Sequence, residues 1–423
     1  MAIDQARLSG STTQEFIIQP TSFCNINCDY CYLPERQARR RMSSDTLSRV
    51  LQAIFTSSLL AERVRIVWHA GEPMTLPVRF YEEALQLIGQ YNTRKLPVSC
   101  VFQTNGTHIT QRWCDFINAH QIEISISLDG PQQIHDAHRV DRAGRGTFAR
   151  IMQNIELLHK NGISPGILMV LTRETLADPD ALWQFLLERD IKSVSFLLEE
   201  ALLQYPQPDR KDEGNLTPPL MPVNGGYPVR KIPRKSNDFI PGTVQTIPLS
   251  SQHDLEQYTT FLQRILELRA QCQHPPFIRE LDLLIERVKH SEYPLRSQAN
   301  TPLAVISFDC DGNISTLSPE LLTLSHPRYA NFLFGNVLQN SLEDMLSQPN
   351  FLEINAEVQR GVANCRKACE YFVFCGGGSP VNKLSETGTF ASTETSHCRL
   401  KIKTTTDVVI EHLRKQTQNK ELN

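Results

Sequence analysis

The sequence predicts an α/β protein: a partial (β/α)6 TIM-like barrel over residues 15–204, followed by a cysteine-rich C-terminal domain over residues 303–405. Three observations predict it. Short apolar runs alternate with amphipathic stretches through the first two hundred residues. Chemically suggestive residues sit just after the ends of those runs. Cysteines gather in two places, after the first apolar run and near the C-terminus. Strands alternating with helices pair in parallel through right-handed crossovers, and parallel barrels build their active sites beyond the C-terminal ends of the strands.

The elements follow in chain order. Residues 1–14 are polar and are expected to be loose. Phe16-Ile17-Ile18, Val64–Trp68, Val98–Gln103, Ile122–Leu128, Ile167–Leu171 and Val194–Leu198 supply six strands, with helices such as Ser44–Ser57, Arg79–Tyr91 and Thr147–Lys160 between them. An ordinary doubly wound sheet would show the same alternation, but it leaves the cysteines after the first strand unexplained. Residues 205–250 form a Pro-rich insert with no apolar period, expected as a surface excursion or lid. Residues 251–302 read as a helical bridge. Leu255, Phe261, Ile265 and Leu268 mark one helix, Leu281, Leu284, Ile285 and Val288 a second, and Pro275-Pro276 breaks them. The C-terminal domain opens with a hairpin, Ala304–Ile314, turning at Asp311-Gly312-Asn313, and residues 406–423 close the chain as a helix or tail.

Composition excludes some functions. The chain has 423 residues, 40% hydrophobic and 21% charged, with a net charge of −3, so nothing favours bulk binding of nucleic acid. The longest apolar runs, such as Ile163–Leu171, fall well short of a membrane span. Eleven cysteines, an odd number, with no targeting segment, point to a reducing cytoplasm and not to a disulfide framework. A monomer is expected.

The sharpest feature is Cys24, Cys28 and Cys31, spaced C-x3-C-x2-C with no fourth cysteine nearby. Thiolates at this spacing can wrap one iron–sulfur cluster, and three ligands leave one iron of a four-iron cluster open. A zinc site would want a fourth ligand, for which His69 is a distant possibility. Near the C-terminus, Cys365, Cys369, Cys375 and Cys398 make a four-ligand set suited to an iron–sulfur cluster or a zinc ribbon. Cys100, Cys114 and Cys272 show no ligand spacing.

The cysteine run, with Tyr30 before its third cysteine, resembles the radical S-adenosylmethionine (radical SAM) signature. Trp68-His69-Ala70-Gly71-Glu72-Pro73 resembles that family's Gly-Glu-Pro motif. Thr104-Asn105-Gly106, Ser127-Leu128-Asp129-Gly130 and His135-Asp136-Ala137-His138-Arg139 follow in the family's order. The resemblance implies a [4Fe-4S] cluster on Cys24, Cys28 and Cys31 with S-adenosylmethionine bound beside it. It implies cofactor contacts from Tyr30, Gly71, Glu72, Asn105, Ser127, Asp129, Arg139 and Leu171. Such a cluster cleaves S-adenosylmethionine to methionine and a 5′-deoxyadenosyl radical, using electrons from a flavodoxin- or ferredoxin-like donor.

The C-terminal cysteines resemble the SPASM-type extension that carries auxiliary clusters in peptide-modifying radical SAM enzymes. The common pattern has seven cysteines; here there are five, with Ser379 where another would stand. The set is complete for one auxiliary [4Fe-4S] cluster and incomplete for a second. Cys310 reads as a lone ligand of that second cluster or as a partly buried free thiol. Gln19-Pro20-Thr21-Ser22-Phe23-Cys24, Ser318-Pro319-Glu320-Leu321-Leu322 and Cys375-Gly376-Gly377-Gly378-Ser379-Pro380-Val381-Asn382-Lys383 further resemble the GrrM/OscB-type maturases. Those form cyclophanes, carbon–carbon crosslinks between an aromatic ring and a β-carbon, in ribosomally made precursor peptides. The partner implied is a precursor peptide with a leader. Asp309 and Asp311, flanking Cys310, are the candidate catalytic carboxylates, with Asp311 the better suited of the two to a plain turn role.

Other classes make distinct demands. A sulfatase-maturating enzyme, oxidising Cys or Ser to formylglycine, would use the same two modules but should show all seven cysteines. An electron carrier would not need the Gly-Glu-Pro motif. A regulatory peptide-binding protein would leave Cys24, Cys28 and Cys31 idle. With 14 residues before the first strand, leader recognition is expected on the barrel surface, on the insert or on a separate protein.

Overall fold

The computed structural model describes residues 13–199, 249–289 and 297–421. Most of the Pro-rich insert and of the N-terminal segment lies outside the described residues.

Six strands form the barrel: β1 (Thr13–Ile18), β3 (Leu60–Trp68), β4 (Val98–Thr104), β5 (Glu123–Ser127), β7 (Gly166–Leu171) and β8 (Ser193–Leu198). They pair in parallel in that order. Helices Ser44–Thr56, Val78–Tyr91, Gln111–His120, Phe148–Lys160 and Pro179–Glu188 lie between them in sequence. Two further short strands, β2 (Ile26–Cys28) and β6 (Arg139–Asp141), pair with each other outside this sheet.

Period-two alternation gives each strand two faces. Phe16, Ile18, Ile66, Trp68, Phe102, Ile124, Ile126 and Leu171 join the large core shared with the helices. Their neighbours Ile17, Val67 and Val101 form a separate small cluster with Val305. An aromatic knot fastens the helix Val78–Tyr91 to the sheet: the Tyr81 ring lies 4.7 Å from Phe102 and 5.1 Å from Trp68. The Tyr81 hydroxyl donates to Pro73 O at 2.6 Å, tying that knot to the loop after β3.

Strands from beyond the six barrel strands join the same sheet. Strand β9 (Phe277–Ile278) pairs with β8, and β10 (Val305–Phe308) pairs in parallel with β1. The expected hairpin is present, with β11 (Asn313–Thr316) antiparallel to β10. Because β10 runs parallel to β1, with Gln19 N donating to Phe308 O at 2.8 Å, the hairpin turn shares a rim with the cysteine loop.

The bridge forms two helices, Gln252–Gln271 and Arg279–Lys289, interrupted around Pro275-Pro276. Asp254, fully buried, completes the capping box of the first helix with Ser251 and takes two hydrogen bonds from Arg173, at 2.7 and 2.9 Å. Tyr258 Oη lies 3.1 Å from Thr405 Oγ1, locking the bridge to the C-terminal helix Thr405–Glu421. Among the described residues, no helix is long and apolar enough to cross a membrane.

Candidate functional site

The loop after β1 carries Cys24, Cys28 and Cys31. None of the three is in a disulfide; the first two are buried and the third is half-buried. The β2–β6 ladder sets the loop's shape by placing Cys28 opposite Arg139. Two arginines fix its backbone. Arg36 donates to Cys28 O at 2.6 Å, and Arg142 donates to Cys24 O at 2.6 and 3.1 Å. Donors also face the sulfurs, with Asn105 Nδ2 3.7 Å from Cys24 Sγ and Arg139 Nη1 3.7 Å from Cys28 Sγ. Burial pushes both thiols up to about 12. A bound metal supplies the positive charge that would hold them as thiolates.

Among the described residues, no three His, Cys, Asp or Glu side chains are closed around a single ion. The fit to a cluster rests on donor chemistry: three thiols on one loop, N–H groups aimed at two sulfurs, and no carboxylate in the set.

The loop after β3 is shaped by backbone geometry. Gly71 has φ +58°, and a Cβ there would lie 2.4 Å from Thr21 O and 2.7 Å from Phe23 O. Only glycine lets this loop approach the cysteine loop so closely. Glu72 follows, fully buried. It accepts from Met74 N at 2.9 Å, Thr104 Oγ1 at 2.6 Å and Asn105 N at 2.7 Å. Burial pushes its carboxyl up to about 7. Glu72 therefore braces the Asn105 loop, which in turn reaches Cys24.

Asp129, also fully buried, lies beyond the end of β5 and gathers the opposite wall. It accepts from Arg139 Nε at 2.8 Å, Arg139 Nη2 at 3.1 Å, Val170 N at 3.1 Å and the Tyr30 hydroxyl. Burial opposes its charge, but the Arg139 guanidinium holds its carboxyl below the usual range. Tyr30, Asp129 and Arg139 thus form one unit against Cys28.

His135 supports that unit from behind. Its Nδ1 accepts from Asp129 N at 3.3 Å, which places the proton on Nε2, 3.0 Å from Thr147 Oγ1. Thr147 in turn donates to Arg139 O at 2.9 Å. Burial pushes His135 down to about 4, so it is neutral at physiological pH.

Ser127 ends β5 half-buried. Leu171 ends β7 with its side chain in the helix-facing core, so any cofactor contact from it would run through the backbone.

At the hairpin turn, the aspartates divide the work differently from the sequence expectation. Asp309 organises the turn: Oδ1 accepts from Asp311 N and Asn313 N, both at 2.9 Å, and Oδ2 from Asn313 Nδ2 at 2.8 Å. Burial raises its carboxyl. Asp311 is half-exposed and pairs with Arg40 of the cysteine loop's far end. Cys310 is buried between them.

The C-terminal cysteines come from four elements. Cys365 lies near the end of helix Pro349–Ala368, and Cys369 caps that helix. Cys375 ends the turn Phe372–Cys375, and Cys398 opens the π-helix Cys398–Thr404. Gly376, Gly377 and Gly378 all have positive φ, at 66°, 116° and 75°. That turn lets Gly377 N donate to Cys375 Sγ at 3.5 Å. Burial, followed by the neighbouring Cys375 and Cys369, pushes Cys398 up to about 12. These thiols are electrostatic neighbours, a donor set that fits a four-thiolate metal group.

Sequence reasoning did not single out Arg36, Arg142 or Thr147, and it quoted Thr104 only as part of a motif, without a role. Each acts on the backbone or the support of a named residue, and none stands at a diagnostic spacing. It also missed Tyr32, next to Cys31, whose hydroxyl lies 3.1 Å from Nε2 of His69 in the Gly-Glu-Pro motif. Burial pushes His69 down to about 4, which leaves its ring free to accept.

These features define a three-thiol site at the mouth of a parallel barrel. Residues 18–186 match the Radical SAM superfamily model. The protein sll1766 of Synechocystis sp. is 36% identical over 402 residues, spanning 94% of this chain and 91% of that protein. The chain belongs to the radical SAM superfamily and is an enzyme of that class. The serine-type anaerobic sulfatase-maturating enzyme of Bacteroides thetaiotaomicron is 31% identical over 179 residues, 41% of this chain and 43% of that enzyme. This chain thus matches under half the length of that relative. The solved structure of native anSMEcpe with bound AdoMet superposes with a TM-score of 0.72 at 20% identity, covering 96% of this chain and 99% of that one. Streptococcus suis SuiB bound to precursor peptide SuiA gives 0.59 at 14% identity, covering 94% and 78%. At these identities the likeness is one of fold.

Proposed function

We propose that this enzyme is a peptide maturase that forms a carbon–carbon crosslink between an aromatic ring and a β-carbon of a ribosomally made precursor peptide. The single observation that carries this reading is the hairpin turn on the barrel rim. Strand β10 continues the barrel sheet beside β1, so Asp311 stands across Arg40 from the cysteine loop. A half-exposed carboxylate on that rim can take the proton a substituted ring must lose. The peptide-bound anSMEcpe and SuiB structures, which share the fold, support a peptide as the substrate class.

When bound, the cluster at Cys24, Cys28 and Cys31 would supply the electron that cleaves S-adenosylmethionine, drawn from an external flavodoxin- or ferredoxin-like donor. The chain's own residues do the rest. Tyr30, Asp129 and Arg139 wall the cofactor position, and Gly71, Glu72 and Asn105 shape its other side. Overall, one hydrogen atom leaves with 5′-deoxyadenosine, and one proton and one electron leave the ring. Cys365, Cys369, Cys375 and Cys398 are the proposed holders of the cluster that receives that electron. The half-length match to sulfatase-maturating enzymes favours formylglycine formation as the second reading.

The test is anaerobic incubation of the reconstituted enzyme with S-adenosylmethionine and synthetic aromatic-bearing peptides, including any short reading frame found beside its gene. The crosslink reading expects a product lighter by two hydrogens, with ring and β-carbon joined in its fragmentation spectrum. An aldehyde at a Cys or Ser would support the second reading instead. Asp311→Asn should slow crosslinking by roughly 10²–10⁴-fold while 5′-deoxyadenosine still forms. Asp309→Asn, which loosens the turn, should affect both products alike. If Asp311→Asn crosslinks at the parental rate, Asp311 is not the base.

A further inference from the structure

Lys383 belongs to a stretch that the proposed reaction leaves unused, and among the described residues it is one of the most buried cations. It lies in helix Pro380–Thr387 and is 3% exposed. Its Nζ donates to Cys365 Sγ at 3.4 Å. The seat around it is shaped to fit. A Cβ on Gly361 would lie 3.2 Å from Nζ and 2.2 Å from Phe390 O, and one on Gly378 would lie 3.6 Å from Lys383 Cε. The tight approach is at Gly361, where glycine leaves room for the lysine's passage to the sulfur, whereas the Gly378 distance is ordinary contact. Ser379 Oγ accepts from Asn382 N at 3.3 Å and starts the helix that carries it.

Burying an ammonium is costly unless an acceptor of opposite charge offsets it. The acceptor here is a cysteine sulfur and not a carboxylate. Lys403, on the other flank of the cysteines, makes the contrast: it is bonded to Glu394 Oε2 at 2.6 Å, so its charge is already met. The charge of Lys383 is directed at the thiol set itself.

We propose that Lys383 is a charge-compensating hydrogen-bond donor to an iron–sulfur cluster held by Cys365, Cys369, Cys375 and Cys398, and that it makes this cluster easier to reduce. The inference rests on the reading that these four cysteines hold a cluster. The physical reason is general. Reduction adds one negative charge to the cluster, and a fixed cation at a ligand sulfur stabilises the reduced state more than the oxidised one. Hydrogen bonds to sulfur act in the same direction. An electron sink for a ring-derived radical needs such a bias toward reduction.

The experiment is a redox titration of the anaerobically reconstituted full chain, followed by electron paramagnetic resonance. In Lys383→Met the second cluster's midpoint should move to more negative potential, and Lys383→Arg should restore it toward the parental value. The cluster at Cys24, Cys28 and Cys31 should keep its midpoint in both variants. Lys403→Met should shift the second midpoint less than Lys383→Met does. If Lys383→Met fails to load its cluster, Lys383→Gln replaces it in the same comparison. A loaded variant without the charge and with an unmoved midpoint overturns the role of Lys383, as does an equal shift in both clusters. Failure of the underlying reading looks different: iron near four per chain in the parent, unchanged by Cys365→Ala and Cys369→Ala, would mean there is no second cluster to tune.

Discussion

Cys24, Cys28 and Cys31 occupy one loop, whereas Cys365, Cys369, Cys375 and Cys398 come from a helix end, its cap, a short turn and the start of a π-helix. The loop site is held by its backbone: the β2–β6 ladder, and Arg36 and Arg142 on the carbonyls of the cysteines themselves. The C-terminal site is held by packing and by three consecutive left-handed glycines. The difference teaches how each should fail. A loop braced by the barrel keeps its shape when a thiol is lost. A site assembled from four elements couples metal binding to the folding of its region.

Removing thiols tests this most severely. Cys24→Ala, Cys28→Ala or Cys31→Ala should abolish 5′-deoxyadenosine formation while leaving the thermal transition of the protein close to parental. Cys369→Ala with Cys375→Ala should retain cofactor cleavage, stop the peptide product and lower the transition temperature. Chromatography of the nucleoside and a calorimetric scan check both halves. Equal loss of stability at the two sites would break the comparison.

What the sequence made legible follows the same division. The loop site was readable because its ligands are neighbours in the chain, and the six strands and the helix Ser44–Thr56 were readable from their apolar periods. The β2–β6 ladder was not readable. Ile26-Asn27-Cys28 is too short to show a strand pattern, and its partner lies beyond three further barrel strands. Nor could spacing show that β10 continues the barrel sheet beside β1, since strand neighbours so far apart leave no local signal. The turn role of Asp309 was missed because Asp311 stands next to the turn glycine, while the hydrogen bonds come from two residues earlier.

A smaller effect separates the sites by pH. Glu72, fully buried in the barrel site, has its carboxyl raised from 4.5 to about 7 by burial. The folded state therefore binds the proton more tightly than the unfolded one. The cost of its charge is absent below about 4.5, grows as pH rises, and is complete above about 7, where it reaches about 3 kcal/mol. His69 and His135, pushed down to about 4, give the opposite slope, because the unfolded state binds their protons more readily. The difference between parent and Glu72→Gln isolates the glutamate. Denaturant titrations from pH 4 to 8 should show the parent losing stability relative to the variant across that window. Parallel curves would show that Glu72 keeps its ordinary affinity for protons.

The smallest expected effect lies where the C-terminal region meets the barrel rim. Arg40 pairs with Asp311, and the side chains are 49% and 43% exposed. An ion pair this wet contributes ~0–1 kcal/mol, because water screens the attraction and two flexible side chains must be ordered. Arg40→Gln should therefore change unfolding free energy by under ~1 kcal/mol, and less still in high salt. Stability is not where the pair matters. It is an ion pair between the hairpin turn and the segment that closes the cysteine loop, so its loss should free the Asp311 carboxylate without disturbing Cys24, whose backbone is fixed by Arg142. Rates of 5′-deoxyadenosine formation should stay parental in Arg40→Gln, while the ratio of peptide product to 5′-deoxyadenosine changes. A drop in nucleoside formation equal to the drop in product would show that Arg40 supports the cysteine loop itself and that the rim is a single rigid unit.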